Sequence, residues 1–249
     1  MKKQATTLSV IVALLLLLAT SAFGDSASQQ KQADTLKALG LFTGTAQGYE
    51  LDKVFTRAQG TAMLLRLAGE EDDAKKANLK PVFADVKSTH WAAASIAYAY
   101  KQGYVRGVND QSFAPERLMT GKEFLTLMLR LLGYPDAAPQ VTTELAQTSG
   151  LLQADAAARL SAASPFLRGH MVEIAHAALL AKPSGSSLTL LQTLVEQEGA
   201  IDAGTAAASG LYVKSSAPST SKGSEGPYVP APGTDPMDAI EEAIKQKLG

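Results

Sequence analysis

An internal repeat is the feature of this 249-residue chain that most constrains its fold. Residues 64–69 (LLRLAG) recur as residues 128–133 (MLRLLG), and the segment 55–59 aligns with 119–123 at the same shift of 64 positions. A weaker third copy contains residues 166–170 (FLRGH). Such self-similarity indicates an architecture in which each unit cannot bury its apolar face alone and stacks on its neighbours.

The spacing inside the units supports three copies. In each, a turn glycine precedes the start of the second helix by 17 or 18 residues. The glycines are Gly40, Gly103 and Gly150, and the helix starts are Arg57, Gly121 and Arg168. Thr56 with Gln59 and Thr120 with Glu123 have the spacing of a capping box. The third unit lacks this box, and Ser164-Pro165 offers an alternative helix start there.

Each unit therefore predicts a helix, a glycine turn, a loop and a second helix. In the second unit the first helix is expected from about residue 90 to 102. Phe124, Met128, Leu131 and Leu132 follow at helical spacing and predict one buried face. Strand signals are weak throughout. The predicted fold class is all-α, with three helix-loop-helix repeats that share one core and are followed by a flexible tail.

The N-terminus has the pattern of a secretory signal peptide, predicted at residues 1–24. Lys2 and Lys3 precede an apolar run at residues 10–19, and small residues follow it. A membrane span needs about 20 apolar residues, which is longer than this run. The alternative is an uncleaved N-terminal anchor. After cleavage, no membrane partner is expected.

The remaining boundaries follow from composition and periodicity. Repeat 1 is predicted at about 30–70, repeat 2 at about 83–134 and repeat 3 at about 141–182, within a triplet at 25–182. A short appended helix is expected at 183–202, and a flexible linker rich in Ser, Pro, Gly and Ala at 203–235. Residues 236–249 predict a short C-terminal helix with a narrow apolar stripe, a candidate docking element for a protein partner.

Composition excludes several classes of function. With 23 basic and 24 acidic residues, the chain has no overall positive field for a nucleic-acid partner. There is no cysteine, and the three histidines are too scattered to predict a metal site. No cofactor motif and no catalytic motif is present, so no cofactor and no enzyme activity are predicted.

The second unit resembles a known family. The S-layer homology repeat is similar to residues 83–86 (FADV), 90–92 (HWA), 113–115 (FAP) and 120–123 (TGKE), and residues 56–59 (TRAQ) are close to that family's helix start. The resemblance covers about residues 30–182. The first and third units lack the FADV and HWA segments, and Gly121 stands where the family usually has arginine.

The resemblance implies a pseudo-threefold bundle whose grooves hold an anionic, often pyruvylated, cell-wall polysaccharide. Arg57 and Arg168 would pair with carboxylates, helped by the backbone N–H groups of their helix starts. Lys122, one residue after Gly121, would take the place of the missing family arginine. Replacing Gly121 itself with arginine is expected to strengthen binding. Trp91 would present a flat ring to a sugar, or pack in the core. Asp85 would fix a loop or accept a sugar hydroxyl.

Two functions follow from this assignment. The first is a secreted cell-envelope protein that attaches non-covalently to wall polysaccharide. The alternative is a degenerate triplet that serves as a structural or assembly module without binding sugar. Arginines buried in ion pairs would favour the module, whereas arginines exposed in grooves beside Trp91 would favour binding.

Overall fold

Helices alternate with loops through residues 26–216, the part of the chain that the computed structural model describes. Within that range there is no β-strand, and the extended segments form only isolated bridges such as Val54 with Leu167 and Thr56 with Leu118. The all-α prediction is confirmed at this level. The predicted signal peptide, residues 217–235 of the predicted linker and the predicted C-terminal helix lie outside the described residues.

Ten helices form in this range. The first, α1, covers residues 26–38. The others are α2 (Arg57–Leu67), α3 (Glu71–Lys76), α4 (Ala93–Lys101), α5 (Gly121–Leu131), α6 (Thr142–Thr148), α7 (Ala154–Ala162), α8 (Arg168–Leu180), α9 (Leu190–Gln192, continued by a π-helical turn at Thr193–Gln197) and α10 (Ala203–Ala208).

The predicted capping boxes set two of the helix starts. The Thr56 hydroxyl accepts the Gln59 N–H, and the Gln59 side-chain oxygen accepts the Thr56 N–H at 2.9 Å. Thr120 and Glu123 form the same pair of bonds at the start of α5. At the third start, Nδ1 of His170 accepts the Leu167 N–H at 3.1 Å, and α8 begins at Arg168 rather than after Ser164.

Helix α5 lies in the middle of the fold. Every residue from Phe124 to Arg130 is buried, because α2, α6, α7 and α8 all contact this helix. The prediction of a single buried face was therefore too narrow, since a helix enclosed by other helices buries its whole circumference. Leu131 lies at the edge of the enclosed part and is only partly buried.

The third unit departs from the predicted plan. A second helix, α7, stands between Gly150 and Arg168, where the other units have a loop. Its sequence, ADAAARLSA, is rich in alanine, which has the highest helix propensity. Ala157 and Leu160 are fully buried, so α7 is part of the core.

The prediction of a linker beginning at residue 203 was wrong for its first part. Residues 203–208 form α10, whose N-cap Asp202 accepts the Thr205 N–H at 2.8 Å. Ala206 is fully buried, and Glu196 accepts hydrogen bonds from Ser215. Alanine lacks the bulk that marks a core in sequence, yet it forms helices readily and packs closely.

None of the helices in residues 26–216 has the length and apolar character needed to cross a bilayer.

Candidate functional site

Three helix starts converge at the centre of the fold. Arg57, Gly121 and Arg168 are each the first residue of their helix, as the repeat predicts. Two positions before each of them stands a buried apolar side chain. The rings of Phe55 and Phe166 are 5.4 Å apart, and the Phe55 carbonyl accepts the N–H of Met119 at 3.0 Å.

Backbone hydrogen bonds join these starts to the loops of neighbouring units. At α2 the first two N–H groups donate to loop carbonyls of repeat 2, and at α8 the first two donate to loop carbonyls of repeat 1. The bonds are Arg57 N to Arg117 O (2.9 Å), Ala58 N to Pro115 O (3.0 Å), Arg168 N to Lys53 O (2.8 Å) and Gly169 N to Leu51 O (2.9 Å). These N–H groups are therefore already satisfied, and the expectation that they would assist an anion is wrong.

Two cavities with matching linings lie beside the two arginines. The Arg57 groove, about 240 Å³, is lined by Arg57, the loop after Gly103 and one side of α5. The Arg168 groove, about 210 Å³, is lined by Arg168, the loop after Gly40 and one side of α2. Equivalent lining positions are 63 or 64 residues apart. The pairs are Phe42/Val105, Thr43/Arg106, Gly44/Gly107, Phe55/Met119, Gln59/Glu123, Ala62/Thr126, Met63/Leu127 and Arg66/Arg130.

Arg57 is buried and fully engaged, with only 8% of its surface exposed. Its guanidinium donates to the Phe113 carbonyl (2.9 Å), the Arg106 carbonyl (3.0 Å) and Oε1 of Glu123 (3.1 Å). Burial lowers the pKa of Arg57, and the charge of Glu123 opposes that shift. In this groove the arginine is held in an internal ion pair.

Glu123 is the carboxylate at the centre of this arrangement. It pairs with Arg57 and Arg117, and it also accepts the N–H and hydroxyl of Thr120. Burial alone would raise the pKa of Glu123, but the hydrogen bonds from Arg117 and Thr120 outweigh it and the pKa is lowered. The carboxylate is therefore ionised at neutral pH.

Two further arginines, Arg106 and Arg130, line the Arg57 groove. Arg130, 8% exposed, donates to the Ala137 carbonyl at 2.8 Å and the Tyr104 carbonyl at 3.1 Å, and no carboxylate of the described residues forms an ion pair with it. Burial, together with the nearby charge of Arg106, lowers the pKa of Arg130 to about 10. Sequence reasoning missed both residues. For Arg130 the signal was the arginine inside the repeated apolar segments LLRLAG and MLRLLG, whereas Arg106 lies in the loop after Gly103 and has no such signal.

Arg168 is held more loosely than Arg57. Its Nε donates to the Tyr49 carbonyl at 2.9 Å, and its guanidinium lies 5.2 Å from the Phe42 ring centroid. Burial lowers its pKa, which the charge of Glu50 partly offsets. Among residues 26–216, no carboxylate forms an ion pair with Arg168 and no acceptor is bonded to its two terminal nitrogens. The equivalent of Glu123 in this groove is the neutral Gln59.

Trp91 stands at the rim of the Arg168 groove and is 61% exposed, so it does not pack in the core. Its ring stacks on His90 with 5.8 Å between centroids. His90 is fixed in turn, because its Nδ1 accepts the Ala92 N–H and its Nε2 lies 2.9 Å from Oε1 of Glu116. The Trp91 ring is therefore a supported, exposed platform next to an arginine.

Asp85 holds the loop of repeat 2. It accepts hydrogen bonds from the Ser112 hydroxyl (2.6 Å) and from the backbone N–H groups of Phe113 (2.9 Å) and Ala114 (2.7 Å). Burial would raise the pKa of Asp85, but these hydrogen bonds lower it. Because the Phe113 carbonyl receives Arg57, Asp85 also positions that arginine.

The start of α5 at Gly121 is closely covered by the third unit. A Cβ atom on Gly121 would lie 1.9 Å from the Leu160 carbonyl oxygen and 3.3 Å from the Phe166 ring. Helix α7 therefore occupies the space that an arginine side chain would need, and the expectation that an arginine at Gly121 strengthens binding is wrong. Lys122 is exposed and lines neither groove.

The S-layer homology domain family matches residues 82–125, the segment that contains Asp85, Trp91 and the start of α5. Residues 82–125 are therefore the part of the chain that is similar to an S-layer homology domain. This segment supplies the platform of one groove and most of the lining loop of the other. In residues 26–216 no group of three or more acidic or histidine side chains is arranged to hold a metal ion.

Several proteins similar to this chain carry names that place them at bacterial surfaces. It is 38% identical over 109 residues to the middle cell wall protein of Brevibacillus brevis, which covers 43% of this chain and 10% of that protein. It is 35% identical over 134 residues to the surface layer protein of Brevibacillus choshinensis, covering 52% and 12%. It is 32% identical over 98 residues to the cellulosome-anchoring protein of Acetivibrio thermocellus, covering 38% and 22%.

Each match spans less than a quarter of the relative's own length. Together with the family match, these relatives indicate a secreted protein of the cell surface.

Proposed function

We propose that this protein attaches non-covalently to the bacterial cell wall by binding an anionic, pyruvylated polysaccharide in the grooves between its repeats. One observation carries the proposal. In the Arg168 groove, an arginine without a carboxylate partner among the described residues lies beside the exposed ring of Trp91.

The chemistry of this groove suits a sugar that carries a carboxylate. A guanidinium binds a carboxylate through two parallel hydrogen bonds, and the two terminal nitrogens of Arg168 supply that fork. The face of Trp91 offers an apolar surface to a sugar ring or to the methyl group of a pyruvyl ketal. Both features lie in one cavity of about 210 Å³, which has room for the end of a polysaccharide chain.

We also propose that the three units surround one pseudo-threefold axis. The matching linings of the two grooves support this arrangement, as do the equivalent hydrogen bonds at the starts of α2 and α8. In this arrangement the Arg57 groove lies between repeats 1 and 2, and the Arg168 groove between repeats 3 and 1. The position at Gly121 would be the third, filled by α7.

A specific observation favours the second candidate function, a structural module that does not bind sugar. Arg57 is buried and paired with Glu123, which is how a scaffold arginine is placed. That observation concerns one groove only, and Arg168 has the opposite environment. We assign the protein a binding role and no catalytic one. A protein partner for the C-terminal helix and a binding role for Lys122 stay predictions.

Sedimentation with purified cell walls tests the proposal. The full chain is mixed with walls before and after their polysaccharide is removed by acid extraction, and the bound fraction is measured. We expect retention on intact walls and its loss on extracted walls, whereas equal sedimentation with both would contradict the proposal.

Substitutions in the same assay connect retention to the groove. Arg168→Ala and Trp91→Ala are each expected to reduce binding to intact walls. Arg159→Ala is the matched control. Arg159 on α7 forms an ion pair with Glu173 on α8, and it lines neither groove. A control variant that lost binding as strongly would show that general surface charge, rather than the groove, retains the protein.

A further inference from the structure

One of the positions at which the two grooves differ is the third residue of the helix, which also takes part in the helix cap. The third residue of α2 is Gln59 and that of α5 is Glu123, and each side chain accepts the N–H of its N-cap threonine. The two residues therefore do the same work for their own helices. They differ by one negative charge and by what that charge contacts.

The Glu123 carboxylate reaches into the Arg57 groove. Its Oε1 lies 3.1 Å from a terminal nitrogen of Arg57, and the other terminal nitrogen of that guanidinium donates to the Arg106 carbonyl. Arg57 thus already has the kind of partner that an acidic sugar would offer. A ligand carboxylate there would have to displace an ionised group that is held in place by Thr120 and Arg117.

The equivalent contact is missing at Arg168. The side-chain oxygen of Gln59 accepts the Thr56 N–H, and no hydrogen bond joins Gln59 to Arg168. Arg66, the other arginine of this groove, is paired with Glu71, so the unpaired guanidinium charge of the Arg168 groove belongs to Arg168. Among residues 26–216, Glu50 acts on Arg168 through its charge, but no carboxylate forms an ion pair with Arg168 that an arriving carboxylate would have to displace.

We infer that Glu123 is a built-in carboxylate that blocks ligand binding at Arg57, and that Gln59 makes the Arg168 groove the one that receives the carboxylate of the wall polysaccharide. This inference rests on the proposed function. According to this inference, Gln59 and Glu123 decide which groove binds the ligand. Neither residue is among those that the sequence predicts to contact it.

If the carboxylate of Glu123 decides which arginine binds the ligand, exchanging Gln59 and Glu123 should move ligand binding from Arg168 to Arg57. Gln59→Glu keeps the capping box, since Glu123 makes the same bonds, and it adds a carboxylate beside Arg168. Glu123→Gln also keeps the box, as Gln59 does, and releases Arg57. Neither change alters side-chain size, and Gln59→Glu is expected to keep the circular dichroism spectrum and melting temperature of the unmodified chain. Glu123→Gln removes the ion-pair partner of the buried Arg57, so it is expected to lower the melting temperature, and its binding is measured below that temperature.

The experiment measures binding of the full chain to two probes. These are acid-extracted wall polysaccharide and a methyl hexoside carrying a pyruvyl ketal, with the ketal-free hexoside as the matched control ligand. Isothermal titration calorimetry gives the affinity for each. We expect Gln59→Glu to weaken binding by at least about tenfold, because hydrogen bonds to a charged group contribute about 1.5–3 kcal/mol.

The double variant with Gln59→Glu and Glu123→Gln is expected to recover binding, now at Arg57. In that background Arg57→Ala should abolish binding and Arg168→Ala should have little effect. In the unmodified chain the order is reversed, and these two alanine variants test the inference even if a variant at Glu123 fails to fold.

The outcomes separate this inference from the proposed function. If the unmodified chain binds the polysaccharide but Gln59→Glu binds it equally well, or if Arg57→Ala and Arg168→Ala lose equal affinity, the inference is wrong and the proposed function stands. If the unmodified chain binds neither the polysaccharide nor the ketal-bearing hexoside, the proposed function itself fails.

Discussion

Replacing Gly121 with alanine tests the conclusion that α7 occupies the space beside the start of α5. The new Cβ would lie 1.9 Å from the Leu160 carbonyl oxygen, and Cβ contacts shorter than 3.0 Å essentially do not occur. The backbone of α7 or of α5 must therefore move by more than 1 Å. Both helices are part of the core, where overpacking costs about 1–3 kcal/mol and occasionally more.

Helix propensity acts in the other direction, which makes the prediction sharp. Alanine is more favourable than glycine in a helix by about 1 kcal/mol, so propensity alone predicts a small stabilisation. We expect the steric term to win, with a loss of about 3 kcal/mol and a fall in melting temperature of roughly 6–12 °C for a domain of this size. Thermal unfolding followed by circular dichroism measures the change.

Gly60→Ala is the matched control. Its Cβ would lie 2.4 Å from the sulfur of Met119, the end of a flexible side chain rather than backbone, so its cost is expected to be smaller. If Gly121→Ala proved neutral or stabilising, α7 would not be in contact with the start of α5. The account of why no arginine stands at this position would then be refuted.

Three further predictions concern stability and retention. Burial raises the pKa of Glu70, whose Oε2 is buried without a hydrogen-bond partner. The protonated form of Glu70 therefore stabilises the folded protein below the ordinary pKa of the group, and this stabilisation is lost as pH rises through the raised pKa. Glu70→Gln should therefore stabilise the protein at pH 7.5 and have little effect near pH 4, as measured by urea unfolding; equal effects at both would contradict this. Leu129→Ala should cost about 2–5 kcal/mol because Leu129 is fully buried, and Leu131→Ala less, since Leu131 is only partly buried. Retention on intact walls should weaken as salt rises from 0.05 to 0.5 M (roughly 14 to 4 Å of screening length), whereas salt-independent sedimentation would argue against binding through charge.

Local features of this fold could be predicted from the sequence because they depend on residues a few positions apart. The boxes of Thr56 with Gln59 and of Thr120 with Glu123 are such features, and the helix starts follow from them. The repeat spacing then made Arg57 and Arg168 equivalent. These relations survive in any arrangement of the units, so the all-α class needed no knowledge of tertiary contacts.

The difference between the two arginines could not be predicted in this way. Arg57 is paired with Glu123, which lies 66 positions away, and Arg168 is bonded to the carbonyl of Tyr49, which lies 119 positions away. Neither contact has a local signature. Helix α7 was missed because the other two units have a loop at this place and because alanine lacks the bulk that marks a buried face in sequence, although Ala157 and Leu160 are fully buried.

The hydrogen bonds between helix starts and neighbouring loops use main-chain atoms on both sides. Every amino acid except proline offers the same N–H and carbonyl groups, so these joints tolerate nearly any substitution of the side chains around them. Divergence in the outer units therefore does not weaken the assembly, and a recognisable sequence signature can shrink to residues 82–125 while the units remain joined. The same joints make the units inseparable: a truncation that removed repeat 2 would leave the first N–H groups of α2 without acceptors.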